Sequence, residues 1–280
     1  MNISGDLAAI FSFVLGAIVG SFLNVLILRY NTGLGIYGRS RCFSCGSPLR
    51  WYDLIPIVSF LALRSRCRYC GAKISVQYPI VELFSGLLFA LFFIFARNNT
   101  FSISLFIPYL ICLWFIASVL IFTLVYDLKH KIIPDSASIA LAVVAIVFSV
   151  LTIGASQALF INLITALIIS LIFASFWFIS RGRAMGLGDA KLVFGLAVFL
   201  GYPMSISATV VAFWIGAAYA LIIIAMDKAS RIVATGGGDF QLSYSSKQIT
   251  MKSELPFGPF LIIAALIVFF FEINAFVLFL

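Results

Sequence analysis

Several uninterrupted apolar runs, longer than about 18 residues each, decide what this chain can fold into. A helix of about 20 apolar residues crosses the hydrocarbon core of a bilayer, so each run predicts a membrane helix. The composition agrees, because 63% of the residues are hydrophobic, only 10% are charged, and the mean hydropathy is +1.17. We therefore predict an all-α polytopic membrane protein whose main partner is the lipid bilayer.

About eight membrane spans fit the apolar pattern. The first has neither a basic n-region nor a small-residue cleavage site, so it is interpreted as a retained membrane helix. The sixth is the shortest, about 20 Å of helix against a core of about 30 Å, so we expect its first residues to lie slightly within the membrane. The predicted spans are 7–28, 79–96, 104–126, 133–153, 157–180, 189–201, 204–226 and 256–280.

The basic residues predict the orientation of the chain. Of the 18 Lys and Arg residues, all but Arg97 fall in four connections between spans, at 29–78, 127–132, 181–191 and 227–255. By the positive-inside rule these connections are cytoplasmic and both termini face the outside of the membrane. This distribution explains the net charge of +8 as a topology signal, so no nucleic-acid partner is predicted.

The loop at 29–78 carries two C-x-x-C pairs, each followed by a glycine that suits a tight turn. Two such pairs are the ligand set of a tetrahedral, structural zinc site. Disulfides are the alternative, but the loop is predicted to be cytoplasmic, where thiols stay reduced. Cys112 lies alone in the third span and is interpreted as a small apolar residue. The predicted zinc ligands are Cys42, Cys45, Cys67 and Cys70.

Polar and small residues also occur within the first two spans. Gly16 and Gly20 form a small-xxx-small pattern that lets another helix approach closely. Ser21 and Asn24 either mark a functional pathway or bond to neighbouring helices. Glu82 follows a proline in the first turn of the second span, which is favourable helix-start chemistry, with a functional role as the alternative. No internal repeat is evident, and Gly236-Gly237-Gly238 predicts a flexible loop.

Asp127 is an unusual acid among the ten in the chain. It is predicted to end the third span, where the helix dipole disfavours a negative charge, and its neighbours Val125 and Leu128 are apolar. Both effects favour the protonated carboxyl. A salt bridge to Lys129, Lys131 or His130 is the alternative explanation. Solvation accounts for the loop acids, Asp53 among them.

Asp189 is predicted to cap or begin the sixth span. There the helix N–H groups and Lys191 favour the carboxylate, and simple helix capping is the alternative role. An aspartic dyad needs one carboxyl group that favours the protonated form and one that favours the ionised form, and these two environments supply them. The single histidine excludes a multi-histidine metal site and argues against a Ser-His-Asp triad, and no P-loop sequence is present. The predicted catalytic residues are therefore Asp127 and Asp189.

These motifs together resemble the bacterial type IV prepilin peptidases, a family of intramembrane aspartyl proteases that also N-methylate their product. The resemblance extends over nearly the whole chain. It rests, besides the cysteine pairs, on Gly20-Ser-Phe-Leu-Asn-Val, Asp53-Leu-Ile-Pro-Ile-Val-Ser-Phe, Tyr78-Pro-Ile-Val-Glu, Asp127-Leu-x4-Ile-Pro-Asp, Gly186-x-Gly-Asp189 and Pro256-Phe-Gly-Pro-Phe. The chain departs from the family where Arg29-Tyr30-Asn31 replaces the frequent Arg-x-Pro.

The resemblance implies catalysis by Asp127 and Asp189 at the cytoplasmic face of a bacterial inner membrane. The implied substrates are prepilins of type IV pili and pseudopilins of type II secretion, cut after a glycine that ends a short basic leader. The new N-terminal residue is then methylated from S-adenosylmethionine, with that activity assigned to the region around loop 29–78. The corresponding division is 1–28 for the first helix, 29–78 for the zinc-binding loop and 79–280 for the peptidase core.

Two other classes of protein remain as alternatives. A proton- or ion-coupled transporter also places carboxylates at the membrane edge, although the interrupted helices in paired halves that mark many transporters are not seen. A non-enzymatic assembly factor would use the zinc-binding loop to bind partners. Peptide cleavage that depends on both aspartates separates the peptidase from these two.

Overall fold

A computed structural model of the chain describes residues 3–32, 38–99, 103–183, 185–235 and 256–273. Within these ranges the protein is helical, with two isolated β-bridges and no strand. A short 3₁₀ turn at Trp51–Leu54 precedes the second helix. The described helices are α1 Ile3–Arg29, α2 Val58–Ala62, α3 Gln77–Asn98, α4 Ile103–His130, α5 Asp135–Ile153, α6 Gln157–Ser180, α7 Leu187–Leu200, α8 Met204–Thr235 and α9 Gly258–Phe271.

All eight predicted spans coincide with a helix, and the short α2 lies in the loop between the first two. Among the described residues, six helices are long and apolar enough to cross a membrane: α1, α3, α4, α5, α6 and α8. Helix α7 has only 14 residues, which confirms the predicted short sixth helix. Helix α8 continues past the predicted end at residue 226 to Thr235. The glycine triplet at 236–238 and the predicted end of the last span, 274–280, lie outside the described residues.

Helices α1 and α3 pack closely because glycines line their contact. A Cβ added to Gly16 would stand 2.5 Å from the backbone oxygen of Ser85, and one added to Gly20 would stand 2.7 Å from Ser85 Oγ. On the facing side, a Cβ on Gly86 would meet Phe13 at 2.8 Å. These distances leave no room for side chains, so the structure confirms the small-residue contact predicted from the sequence.

The end of α1 is joined to α4 and α5 through Tyr30. Its ring packs edge-to-face against Phe122 and Tyr126, with centroid distances of 5.5 and 5.4 Å. Its hydroxyl is 2.7 Å from Ser136 Oγ in the first turn of α5.

The apolar core runs along the middle of the bundle and contains α4, α7 and α9. Leu113, Ile116 and Leu120 of α4 are fully buried, as are Leu192 and Val198 of α7. Cys112 is also buried in this core, as expected of a small apolar residue. Because α4, α7 and α9 are held together by this packing, the positions of their ends are fixed relative to one another.

Candidate active site

Asp127 lies in the last turn of α4, not at its end as predicted, because the helix continues to His130. Lys131 then adopts a left-handed conformation, with a φ of 55°, and its N–H donates to the Asp127 carbonyl at 2.7 Å. This arrangement ends the helix in the αL manner. The Asp127 side chain points inward, and the residue is only 3% exposed.

Asp189 is the third residue of α7 and is 7% exposed. Its Oδ2 accepts a hydrogen bond of 3.2 Å from the backbone N–H of Gly186, so it caps the helix start from within the first turn. The predicted support from Lys191 is wrong. Lys191 Nζ instead forms an ion pair of 2.7 Å with Asp135 on α5, because its side chain projects toward that helix.

The two aspartates converge around Ile133, which lies in the short extended segment between α4 and α5. A Cβ on Gly188, at the start of α7, would be 3.0 Å from Ile133 Cβ. A Cβ on Gly258, at the start of α9, would be 3.1 Å from Ile133 Cδ1 and 2.5 Å from Asp127 Oδ2. The carboxyl groups of Asp127 and Asp189 are close enough to interact electrostatically. The site is therefore formed by the ends of three helices.

The contacts of Asp127 argue against a structural salt bridge. Among the described residues the ion pairs are Arg68–Asp53 and Lys191–Asp135, so the alternative partners Lys129, Lys131 and His130 do not pair with Asp127. The backbone of Gly258 hydrogen-bonds to the carboxyl, while Oδ2 has no hydrogen-bond partner within the described part of the chain. A buried oxygen without a partner costs free energy, which is typical of a group that acts on a bound molecule.

Gly258 is a site residue that the sequence interpretation missed. In the sequence analysis the Pro256-Phe-Gly-Pro-Phe segment is only one of the motifs that carry the family resemblance, with no role given to its glycine. In the structure, α9 begins at Gly258, directly against the Asp127 carboxyl. The sequence signal was the glycine between two prolines, since a residue without a side chain permits this approach. Two nearby buried carboxyls without a cation can serve as an acid and a base in the same reaction.

Glu82 lies in the second turn of α3 and is 6% exposed. Its Oε2 accepts a 2.7 Å hydrogen bond from the backbone N–H of Ile57 in the loop, and the Ser21 side chain also bonds to it. Asn24 donates to the carbonyl of Tyr78 at 3.2 Å. These contacts confirm that the polar residues of α1 bond to a neighbouring helix, and they attach the loop to α1 and α3.

The zinc-ligand candidates lie in two turns with the same backbone pattern. In the first turn, Gly46 N–H donates to the Cys42 carbonyl and Leu49 N–H to the Ser40 carbonyl, both at 2.8 Å. In the second, Gly71 bonds to Cys67 and Ile74 to Ser65, at 2.9 and 2.8 Å. The turns share the sequence Ser-Arg-Cys-x-x-Cys-Gly, at 40–46 and 65–71. The two turns are therefore a short internal repeat, although no repeat was evident in the sequence analysis.

The four cysteines fit a tetrahedral metal ion. Their sulfur atoms all lie within 4.8 Å of one another, and Cys42 Sγ is 3.9 Å from Cys70 Sγ. Zinc–sulfur bonds of about 2.3 Å in a tetrahedron place the sulfurs roughly 3.8 Å apart. Hydrogen bonds from the side chain and the backbone of Ser47 lower the pKa of the Cys45 thiol to about 6. The backbone hydrogen bond of Ala72 lowers the pKa of the Cys70 thiol, but burial and hydrogen bonds with the other three cysteines outweigh it and raise that pKa. The geometry supports a metal site in the loop.

Asp53 is the second residue for which the sequence interpretation was wrong, because its side chain is only 2% exposed rather than solvated. It accepts hydrogen bonds from Arg68 Nε at 2.8 Å, from the Arg50 backbone N–H at 3.1 Å and from the Tyr69 hydroxyl at 3.1 Å. Partial burial opposes ionisation, but these hydrogen bonds outweigh it and lower the pKa of Asp53. Asp53 thus joins the two cysteine turns.

Comparison with known proteins agrees with both parts of the site. Residues 14–96 match the model of the bacterial peptidase A24 N-terminal domain, and residues 114–221 match that of the type IV leader peptidase family. The first range contains the cysteine turns and Glu82, and the second contains Asp127 and Asp189. The two models thus divide the chain between the loop side and the aspartate side of the molecule.

Several curated proteins are similar over most of the chain. The prepilin leader peptidase/N-methyltransferase of Myxococcus xanthus is 41% identical over 199 residues, which are 70% of this chain and 57% of that protein. The Klebsiella pneumoniae protein of the same name is 30% identical, over 69% of this chain and 85% of its own length. The type 4 prepilin-like proteins leader peptide-processing enzyme of Escherichia coli is 31% identical, over 74% and 82%. No solved structure matches.

Proposed function

The chain belongs to the type IV leader peptidase family, and we propose that it is a membrane aspartyl endopeptidase that removes the basic leader of type IV prepilins and pseudopilins. We further propose that it N-methylates the new N-terminal residue with S-adenosylmethionine, the activity in the names of its relatives. The observation that carries the peptidase proposal is the meeting of two buried carboxyls, Asp127 and Asp189, at the ends of α4 and α7.

In this proposal the two aspartates share one proton, because neighbouring buried carboxyls resist double ionisation. The carboxylate takes a proton from water, whose oxygen adds to the carbonyl carbon of the scissile peptide, while the protonated partner donates to the carbonyl oxygen. Proton transfer to the peptide nitrogen then breaks the C–N bond. The Gly186 N–H and the N-terminal turn of α7 favour the carboxylate on Asp189.

We place the reaction at the cytoplasmic face of a bacterial inner membrane, with both termini outside. The support is the charge distribution, since Asp127 and Asp189 lie in two of the four connections that together hold all the Lys and Arg residues except Arg97. A basic leader would enter on this side, where the transmembrane helix of the substrate ends. We assign residues 79–280 to the peptidase core, 29–78 to the loop and 1–28 to the first helix.

We propose zinc as the metal of the loop, held by Cys42, Cys45, Cys67 and Cys70. Four thiolates complete a tetrahedral zinc ion and leave no open coordination position, so the role of the metal is structural. Zinc would fix the two cysteine turns against each other and thereby hold the loop over the ends of α1 and α3.

The test is leader removal by purified protein in liposomes, with a prepilin as substrate. Asp127→Asn and Asp189→Asn should each lower the rate by at least about a hundredfold, because each removes a group that transfers a proton. Asp135→Asn is the matched control, since that carboxyl is exposed and paired with Lys191, and it should cleave nearly as fast as wild type. If either dyad variant, correctly folded, cleaves at the wild-type rate, the catalytic assignment is wrong.

A further inference from the structure

The loop between α1 and α3 exposes several large apolar side chains. Trp51 of the 3₁₀ turn is 77% exposed and Leu61 of α2 is 68% exposed, although neither lies in a membrane helix. Apolar residues that cluster on an exposed surface mark a contact with another protein or with a membrane. We call this set the loop patch, and its members are Trp51, Ile55, Val58 and Leu61.

The members of the loop patch recur at helical spacing. Ser59 N–H donates to the Ile55 carbonyl at 3.1 Å, so the helical turn of α2 is already prepared at Ile55. Residues three and four apart then share one face. The side chains between them line a cavity of about 410 Å³ below the loop, which no member of the patch lines; they include Ser59, Phe60 and Leu63. Helix α2 therefore has a side that faces the protein and an apolar side that does not.

Ile57 fixes the level of α2 relative to the membrane helices. Its N–H donates to Glu82 Oε2 at 2.7 Å, and Glu82 lies five residues after Gln77, where α3 begins. Five residues of helix rise about 7.5 Å, and helical side chains lean toward the helix start. The Ile57 backbone is therefore level with the first two turns of α3.

This level is the boundary between the hydrocarbon core and the headgroups. Helix α3 is one of the candidate membrane spans, and its 22 residues measure about 33 Å, close to a core of about 30 Å. The first turns of α3 thus lie at the edge of the core. Because Val58 follows Ile57 directly, α2 lies at the same edge.

The lipid-facing side of α3 begins at this level as well. Exposed apolar residues recur along the helix at intervals of three and four, as on a membrane helix that turns one side to lipid. Val76, just before the helix, is also exposed. The stripe consists of Ile80, Leu83, Leu87, Leu91 and Ile94. A bilayer that covers this stripe therefore reaches the level of the loop patch.

The charge of the loop fits the same partner. Residues 29–78 contain eight Lys and Arg and a single acid, Asp53, which is already paired with Arg68. Arg64 and Arg66 follow α2, are exposed, and form no ion pair with any acid in the described ranges. Helices that lie in the membrane interface combine an apolar face with Lys and Arg, which anionic lipids attract. Trp is also enriched at this boundary.

We propose that the loop patch inserts into the headgroup boundary of the bilayer, so that α2 lies in the plane of the interface. Val58 and Leu61 then face the acyl chains, while Ser59 and Leu63 face the cavity. The loop is thus held to the membrane by its own surface as well as by the two helices that flank it. The choice of the cytoplasmic leaflet rests on the proposed orientation, and the contact itself requires neither of the proposed activities.

The experiment measures tryptophan quenching in the full-length protein in nanodiscs of phosphatidylcholine and phosphatidylglycerol. Bromine atoms on the acyl chains near the headgroup quench a tryptophan that touches lipid, and iodide quenches one that is in water. The difference in emission between wild type and Trp51→Phe isolates Trp51. Trp214→Phe isolates Trp214 in the same way, a reference that is 70% exposed in the membrane helix α8. Brominated lipid should quench Trp51 at least about half as strongly as Trp214, and iodide should quench it little.

A second reporter tests α2 directly. Leu61→Trp, made in the Trp51→Phe background, should show the same quenching by brominated lipid as Trp51. Phe43→Trp in that background is the matched control, because Phe43 is 73% exposed but lies in the first cysteine turn and lines the cavity. It should be quenched by iodide, and by brominated lipid less than about a fifth as strongly as Trp214. Zinc content checks that each variant is folded.

Three results would overturn the proposal. Quenching of Trp51 and of the indole at position 61 by iodide alone would show that the loop patch faces water. Protection of both from both quenchers would show that a protein surface, such as a second copy of the chain, covers the patch. Equal quenching of Phe43→Trp by brominated lipid would show that the loop has no specific membrane-facing side. Leader removal enters none of these measurements, so a failure of the catalytic assignment leaves their outcome unchanged.

Discussion

The cysteine-bearing loop and the aspartate site are built in different ways. The loop at 40–74 is made of two short turns whose form is set by local hydrogen bonds, and four sulfur atoms bring the turns together. The aspartate site has no such local unit, because Asp127, Asp189 and Gly258 come from the ends of three separate helices. The loop should therefore depend on its metal, and the aspartate site on the fit between helices.

The largest effect that tests this comparison is expected from removing one metal ligand. Cys42→Ser should lower the zinc content from about one ion per chain to less than about 0.2, because three thiolates do not complete the tetrahedral site. The measurement is elemental analysis of the purified protein. Cys112→Ala is the matched control, since Cys112 is buried in the helical core and should leave the zinc content unchanged. Full zinc content in Cys42→Ser would show that Cys42 is not a metal ligand and that the loop does not hold a four-cysteine site.

The next effect concerns the fit at the aspartates. Gly258→Ala places a Cβ 2.5 Å from Asp127 Oδ2, so the carboxyl or the start of α9 must move. A displacement of about 1 Å at a catalytic group can cost about a hundredfold, and we expect kcat for leader removal to fall by at least about tenfold. The zinc content should not change, because the variant does not touch the loop.

Gly216→Ala is the control for that experiment. Gly216 lies in α8, and a Cβ there would meet Phe257 at 3.5 Å, an ordinary contact distance. This variant should cleave at the wild-type rate. If Gly258→Ala also does so, the close approach of α9 is not part of the catalytic geometry.

Local structure in both regions was easier to predict than the contacts between distant parts of the chain. The cysteine spacing and the following glycines specify turns within a few residues, and the apolar runs specify helices without knowledge of their neighbours. The contact of Gly258 with Asp127 depends on how distant helices pack, so the glycine between two prolines indicates that a close approach is possible but not which residue approaches. The pairing of Lys191 with Asp135, rather than support of Asp189, is a contact of the same kind.

Two features were visible in the sequence and were still missed. The repeat Ser-Arg-Cys-x-x-Cys-Gly is only seven residues long and its intervening positions differ, so the sequence alone indicates two cysteine pairs but not two equivalent turns. Asp53 was interpreted as a solvated loop acid because most loop acids are exposed. In the structure Asp53 contacts Arg68 and Tyr69, which lie in the second cysteine turn, 15 and 16 residues away in the sequence.

A smaller effect is expected where α1 packs on α3. Gly16→Ala places a Cβ 2.5 Å from the Ser85 carbonyl oxygen, so the two helices must separate. Overpacking of this kind costs about 2 kcal/mol, and we expect a comparable loss in the free energy of unfolding in detergent. Gly216→Ala again serves as the control and should be neutral, because its Cβ has room and alanine favours the helix. Equal stability of the two variants would contradict the close contact.

The smallest effect is expected at the ion pair that joins the cysteine turns. Asp53→Asn should increase the rate of zinc loss to a chelator by about threefold at neutral pH, because a half-exposed ion pair contributes little. The pKa of Asp53 is lowered in the folded protein, so its stabilisation is present above the unfolded pKa of about 3.9 and is lost as the pH falls through the folded value. The ratio of the zinc-loss rate of Asp53→Asn to that of wild type should therefore stay constant from about pH 8 to about pH 5, even though both rates rise as thiolates gain protons.

Asp6→Asn is the control, because Asp6 lies in α1 and is remote from the loop in sequence. It should show no difference from wild type at any pH in this range. A ratio that falls between pH 7 and pH 5 would mean that the carboxylate is not held by Arg68, and that the loop depends on its metal alone.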